Sequence, residues 1–249
     1  MDPARIALVG GAALVAGLVN AIAGGGSLIS FPALVAAGLP TISANVTNTV
    51  ALSPGYLGGM LAQRHDLAGQ RKRVSMLLPV SIFGGAVGGL LLLRTGEHAF
   101  DAIVPFLLLI AVALLAFQER LHAFFMARRR RSNAAWVVVP VGAASVYGGY
   151  FGAALSVIVL GALVVILDDT VVRLNALKQM VAFAANASAA AVFVFSGRLQ
   201  WTITLLTGVA ALVGGALGGA IVSRVPAKLL RWIVIVTGLG MALVYLARL

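Results

Sequence analysis

Gly84-Gly85-Ala86-Val87-Gly88-Gly89 reappears 130 residues later as Gly214-Gly215-Ala216-Leu217-Gly218-Gly219. The same offset carries Arg94 onto Arg224 and Asn45 onto Asn175. The chain reads as two copies of one unit, residues 1–125 and 126–249, and the apolar stretches around each copy approach membrane length. Internal duplication in a wholly membrane-embedded chain is the ground plan of a secondary transporter.

Composition supports that reading. Of the 249 residues 61% are hydrophobic and 10% charged, where a soluble domain carries about 25% charged residues. The mean hydropathy is +1.05. A water-soluble fold of this composition would lack a polar surface. A β-barrel would need alternating apolar and polar residues, and these apolar runs are continuous. The expected fold is all-α and polytopic.

The net charge of +11 would suggest nucleic acid in a soluble chain. Here twelve of the 18 basic residues sit in three connections: Arg64, Arg71, Lys72 and Arg73; Arg120 and Arg128 to Arg131; Arg224, Lys228 and Arg231. That is the positive-inside pattern, with attraction to anionic lipid as a by-product, and not a continuous basic face for nucleic acid. Without Cys the chain forms no disulfide and offers no thiolate ligand or nucleophile. The N-terminal apolar run from Ile6 to Ile22 is expected to be retained: the residues before it are barely basic, and those after it belong to a motif of the mature chain.

Apolar segments run near 6–23, 27–38, 44–62, 74–93, 102–118, 135–147, 152–167, 174–196, 202–222 and 229–247. Residues 27–38 and 135–147 are too short to cross a bilayer of about 30 Å alone. Each adjoins a glycine cluster, Gly24-Gly25-Gly26 or Gly148-Gly149 with Gly152. Irregular backbone at membrane depth is tolerated only where it lines a cavity or is buried in protein. Each half is therefore expected to open with a broken or re-entrant helix pair and to continue with three transmembrane helices. Placing the basic loops 63–73, 119–133 and 223–231 in the cytoplasm puts 94–101 outside and both termini outside, which inverts one repeat relative to the other.

The acids Asp2, Asp66, Glu97, Asp101, Glu119, Asp168 and Asp169, and the three His residues, all fall in or beside connections. No catalytic constellation or metal motif emerges, and Asp168-Asp169 reads as a solvated helix boundary. No cofactor is expected.

Two stretches carry the candidate substrate site. In the first, the triplet Gly24, Gly25, Gly26 ends one helix and Ser27 is placed to cap the next; the N-terminus of that second helix would favour an anion. Close helix packing is the plain alternative, although a triple glycine is unusually disruptive for it. Its counterpart is Tyr147-Gly148-Gly149-Tyr150-Phe151-Gly152. In the second, Asn45, Asn48, Thr49 and Tyr56 share one helical face, as do Asn175, Lys178, Gln179 and Asn186 in the other half. Polar groups at membrane depth face a cavity or a partner helix. Lys178 stands out as a basic residue well inside an apolar segment, set either to neutralise a bound anion or to snorkel to the interface. The Gly84/Gly88 and Gly214/Gly218 pairs form small-residue faces for packing of the repeats, or for a homodimer.

At these residues the chain resembles the sulfite exporter TauE/SafE family of membrane permeases, also called TSUP or DUF81. Asn20 to Gly59 carries the likeness most clearly, as N-A-I-A-G-G-G-S-L-I-S-F-P-A-L, G-L-P and S-A-N-V-T-N-T-V-A-L-S-P-G. Y-G-G-Y-F-G-A-A-L, R-L-N-A-L-K-Q and F-V-F-S-G-R-L-Q-W extend it through the second half. Many members repeat the glycine triplet where this chain has Gly152-Ala153-Ala154. The resemblance implies an inner-membrane, multi-pass permease for sulfite, a sulfonate or another small anion. It gives Gly24 to Ser27, Asn45, Asn48, Thr49, Asn175 and Lys178 the substrate-site role. A coupling ion, Na⁺ or H⁺, stays open, though no acid inside a span offers a carboxylate proton relay. The rival readings are a permease for another solute and a non-transporting scaffold.

Overall fold

The computed structural model describes residues 2–22, 25–127, 134–221 and 227–247. Among these, eleven α-helices and two 3₁₀ turns form the chain, with no strand. The first half contributes α1 (Pro3–Ile22), α2 (Ser27–Ala36), α3 (Thr41–Ala62), α4 (Arg71–Arg94), α5 (Glu97–Ala116) and α6 (Gln118–Ala127). The second contributes α7 (Val138–Tyr150), α8 (Leu155–Ile166), α9 (Val171–Val194), α10 (Trp201–Ile221) and α11 (Ala227–Leu246). The candidate residue Gly24, the arginine run 128–131 and Arg224 lie outside the described residues.

Six helices, α1, α4, α5, α9, α10 and α11, are long and apolar enough to span a bilayer. Their outer surfaces are apolar as well: Phe83 is 73% exposed, Leu205 63% and Val236 64%. Side chains of that kind at that exposure need hydrocarbon as solvent, since in water each would forfeit roughly 1.5–3 kcal/mol of burial. The 22-residue α3, expected as an ordinary span, falls outside this set. Asn45, Thr47, Asn48 and Thr49 make it too polar, and every residue from Thr41 to Thr49 is buried by neighbouring helices.

Each half opens with a helix pair broken at glycine, but α1 has 20 residues, enough to span a bilayer, where α7 has 13. α1 breaks before Gly25, whose φ of +87° is open to glycine at little cost, and α2 turns back from there. A Cβ on Gly26 would lie 2.3 Å from the Ala16 carbonyl oxygen, so α2 folds tightly onto α1. The α7–α8 break repeats the device at Gly152, with a φ of +79°. One expectation needs correction: Ser27 does not cap α2. It is the first helical residue, Gly26 holds the cap position, and no side chain bonds there.

Equivalent helices pack in a reciprocal pattern. α4 lies against α7 and α9, and α10 lies against α1 and α3. The duplicated glycines make these contacts: a Cβ on Gly88 would sit 2.1 Å from the Val146 carbonyl, and one on Gly214 only 1.9 Å from the Leu14 carbonyl. Each half thus inserts its glycine helix into the other half. α3 runs opposite to α9, and α4 opposite to α10. α3 ends where α9 begins, since Gln63 accepts a 2.7 Å hydrogen bond from Asn175. α4 starts at that same end, where Arg73 meets Asp169. α10 starts at the other end, where Arg198 meets Glu97 at 3.0 Å.

α6 departs from the sequence reading, which had a loop through 119–133. Its Phe125 ring fills the space left by Gly161 of α8, where a Cβ would be 2.6 Å from the ring. A ten-residue helix with charges near its start is too short and too polar to register as an apolar segment.

Candidate functional site

A cavity of about 1040 Å³ lies between α1, α2, α3, α6, α8, α9 and α10. The N-terminal ends of both short helices reach it, α2 through Gly25 and Ser27, α8 through Gly152, Ala154, Leu155 and Ser156. The Leu28, Ile29, Leu155 and Val157 N–H groups bond the carbonyls of Gly25, Gly26, Gly152 and Ala154, and the positive ends of the two helices meet one space. The C-terminal half of α3 supplies Tyr56, Gln63 follows its last residue, and the start of α9 supplies Asn175, Lys178 and Gln179. Leu52, Leu155, Leu160 and Leu212 make up much of the apolar wall.

Of the residues expected at a site, the cavity gathers Gly25, Ser27, Gly152, Asn175, Lys178 and Gln179. Gly26 is buried directly behind them against α1. Lys178 forms no ion pair with a described carboxylate. It lies on the cavity wall, one turn into α9 from Asn175. The Ser27 and Tyr56 hydroxyls lie close enough to interact. Gln179 packs against Gly59, where a Cβ would be 2.9 Å from its amide nitrogen.

Asn45, Asn48, Thr49 and Asn186 do not line the cavity. Asn45 donates to the Tyr150 carbonyl at 2.9 Å, fastening α3 to the end of α7. Asn48 accepts from the Ser30 hydroxyl at 2.5 Å, fastening α3 to α2. Asn186 donates to the Ala182 carbonyl one turn back in its own helix, and Thr49 is buried in α3. Asn45 and Asn48 thus tie α3 to α7 and α2, members of the two broken pairs. Each shared face divides because its helix crosses two environments, with Tyr56 of α3 and Asn175, Lys178 and Gln179 of α9 at the cavity and the rest packed.

Sequence reasoning also missed α6 as part of the wall. Gln118, Glu119, Leu121, His122 and Phe125 all line the cavity. The Gln118 side-chain oxygen is buried without a hydrogen-bond partner. Glu119 meets Arg231 at 2.7 Å. The spacing Gln118–His122, one helical turn, was the available signal.

The two ends of the molecule differ. The cavity lining runs out to Gln63, Glu119 and Asn175, at helix ends that carry the basic connections. At the opposite end Glu97 accepts from Ile42 N–H and from Arg198, both at 3.0 Å, and Thr41 bonds Asp101 and Tyr245. Phe31, Phe100, Tyr150 and Phe151 pack edge to face beneath that lattice. At the basic end, Asp169 joins Arg73 and Arg173, and Arg173 donates to the Ala68 carbonyl. Desolvation pushes the Asp169 carboxyl up, but the Arg73 bond, the Thr170 N–H and Arg173 outweigh it and hold the group below the usual carboxylate value. No group of three or more His, Cys, Asp or Glu residues is arranged to hold a metal ion among the described residues.

Membrane-length helices, an apolar outer surface and a cavity with polar groups set in an apolar wall define a multi-pass membrane protein. The chain belongs to the sulfite exporter TauE/SafE family, whose sequence profile matches residues 9–245. It is 27% identical over 237 residues to a probable membrane transporter protein, ORF9, of Sinorhizobium sp., covering 95% of this chain and 90% of that one. A probable membrane transporter protein of Haemophilus influenzae is 27% identical, covering 89% and 87%. The probable membrane transporter protein YfcA of Escherichia coli is 23% identical, covering 92% and 85%. No solved structure matches the chain. By fold and family the protein is a multi-pass membrane transporter.

Proposed function

We propose that this protein is a secondary permease, not an enzyme, that moves a small anion across the bacterial inner membrane, and that the anion is a sulfur oxyanion or an organosulfonate. The observation that carries this reading is the convergence of two helix N-termini and Lys178 on one cavity. Helix N-termini supply N–H donors and a positive potential of roughly half a charge each. Lys178 adds a full charge, and Asn175, Gln179, Gln118 and Ser27 offer neutral hydrogen-bonding groups. A charged side chain at membrane depth costs about 2.5–3.5 kcal/mol on insertion scales, so its position calls for a function. A cavity of about 1040 Å³, with leucines along much of its wall, has room for an anion with an organic body as well as for a bare oxyanion.

The halves are inverted repeats divided near residue 125, and they alternate access. The opposed directions of α3 and α9, and of α4 and α10, support this reading. The positive-inside pattern places the open end of the cavity in the cytoplasm. The lattice of Glu97, Arg198, Thr41, Asp101 and Tyr245 then closes the outer side, so this is an inward-facing arrangement.

Solute counterflow in proteoliposomes with labelled sulfite, sulfoacetate and taurine tests the proposal. Accumulation of one of them is expected, reduced on the order of tenfold or more in Lys178→Ala, as loss of a charge-assisted hydrogen bond implies. A folded wild type that accumulates none of them would sink the anion assignment. Wild-type kinetics in Lys178→Ala would remove Lys178 from the site.

A further inference from the structure

Basic residues that only orient a membrane protein need charge and nothing more. The end of the molecule where α4 and α9 begin has more than charge. A second cavity, of about 550 Å³, lies there, and Arg71, Lys72 and Arg73 of the first half line it together with Arg173 of the second.

Hydrogen bonds fix two of these arginines in place. Gln70, also in the lining, is only 2% exposed, and both polar atoms of its side chain are engaged. Its amide nitrogen donates to the Asp66 carbonyl at 2.9 Å and to the Arg173 carbonyl at 3.1 Å, and its oxygen accepts from Arg73 at 3.0 Å. Asp169 pairs with Arg73 and, at 3.0 Å, with Arg173. Arg173 donates through Nη1 to the Ala68 carbonyl, also at 3.0 Å. Its Nη2 has no acceptor among the described residues and lies beside Gly69, where even an added Cβ would be 3.7 Å away. The Arg71 and Lys72 side chains have no hydrogen-bond or ion-pair partner among the described residues. Four cations thus share the Asp169 carboxylate, and counting its neighbour Asp168 still leaves positive charge in excess. Like charges gathered in one pocket repel one another and attract an anion.

The position says what kind of anion. α4 and α9 are both membrane-length and both start at this pocket, which sets it at the level of the lipid headgroups. The first turn of α9 also exposes Val171 and Val172, an apolar surface next in sequence to Arg173.

We propose that this pocket binds a phosphate ester anion, with Arg73 and Arg173 as fixed donors and Arg71 and Lys72 as the free charges that engage it. Guanidinium groups match phosphate oxygens in charge and in the spacing of their N–H donors. The headgroup of an anionic phospholipid is the source that the position favours, because its acyl chains would meet the apolar start of α9; a soluble phosphate presents the same oxygens. The site draws on both halves of the chain, so its ligand braces α4 against α9. It does not depend on which solute the larger cavity takes.

The test is a thermal melt of the full-length protein in detergent, titrated at constant ionic strength with phosphatidylglycerol, phosphatidylcholine or inorganic phosphate. Phosphatidylglycerol is expected to raise the melting temperature saturably, as a ligand of the folded state does, and phosphatidylcholine is not. Stabilisation by phosphatidylglycerol alone identifies a lipid headgroup as the source, and stabilisation by inorganic phosphate identifies a soluble one. Arg71→Gln combined with Lys72→Gln weakens the apparent affinity by about tenfold or more, without disturbing the fixed pairs. Arg64→Gln combined with Arg120→Gln removes the same charge outside the pocket and binds as wild type. No stabilisation by either phosphate source overturns the proposal, as does equal stabilisation by phosphatidylcholine. Wild-type affinity in the pocket variant, or an equal loss in the Arg64 and Arg120 variant, overturns it too, because diffuse attraction to basic connections would then suffice.

Discussion

Replacing Gly214 by alanine tests the claim that the duplicated glycines are the contacts between the halves. The Cβ would lie 1.9 Å from the Leu14 carbonyl oxygen, where real contacts essentially never fall below 3.0 Å. α1 and α10 must part by about 1 Å at their crossing, and the obstructing atom is backbone, which cannot turn aside. Overpacking of that order costs about 1–3 kcal/mol. For a chain of this length roughly 2–4 °C accompanies each kcal/mol, so the melting temperature should fall by about 2–12 °C. The assay is a thermal melt of purified protein in detergent, followed by size-exclusion fluorescence. Gly240→Ala is the control: it lies in α11 with nothing within 4 Å of the added atom, and helix propensity favours alanine there by up to about 1 kcal/mol. A Gly214→Ala protein that melts with the wild type, or a Gly240→Ala protein that falls as far, would refute the reasoning.

Asn45→Ala should destabilise by about 1–3 kcal/mol, because it leaves the Tyr150 carbonyl without its donor, yet leave the substrate constant of the surviving protein unchanged; counterflow at several substrate concentrations separates the two effects. Ala154 holds a left-handed conformation at φ 59°, so Ala154→Gly should raise the melting temperature, reflecting a net gain of about 0.5–1 kcal/mol once the added chain entropy is subtracted. The lowered pKa of Asp169 stabilises the fold above the unfolded carboxylate value of about 3.9, and that contribution is lost as pH falls through the folded value. Acid melts of the wild type should therefore steepen below about pH 4, and Asp169→Asn should melt lower at neutral pH but lose less across that window.

The helical membrane class was legible because bilayer thickness fixes the length of apolar runs, and those runs survive in composition. The breaks at Gly25 and Gly152 were legible because few residues other than glycine take those backbone angles. Lys178, Asn175 and Gln179 were readable as a set, since a polar triplet within one turn of an apolar helix has few uses. Asn45 and Asn48 carry the same signal but serve a different end. Which polar face meets another helix, and which meets open space, depends on where α2 and α7 pack, and no local pattern encodes that. α6 was hidden for a related reason: its hold on α8 is one phenylalanine over one glycine, a pairing 36 residues apart in the chain.

The exchange of glycine helices between halves has a consequence for biosynthesis. When α4 enters the membrane, the helix it is shaped for has yet to be synthesised, and the small-residue face of Gly84 and Gly88 has only lipid to meet. The nascent first half is thus an incomplete object whose assembly waits on the ribosome reaching α7 and α9. α10, arriving last but one, must then find its place against α1, the helix made first. Pauses in translation, or an insertase that shelters α4, would set the yield of this protein more directly than the strength of any single contact within it.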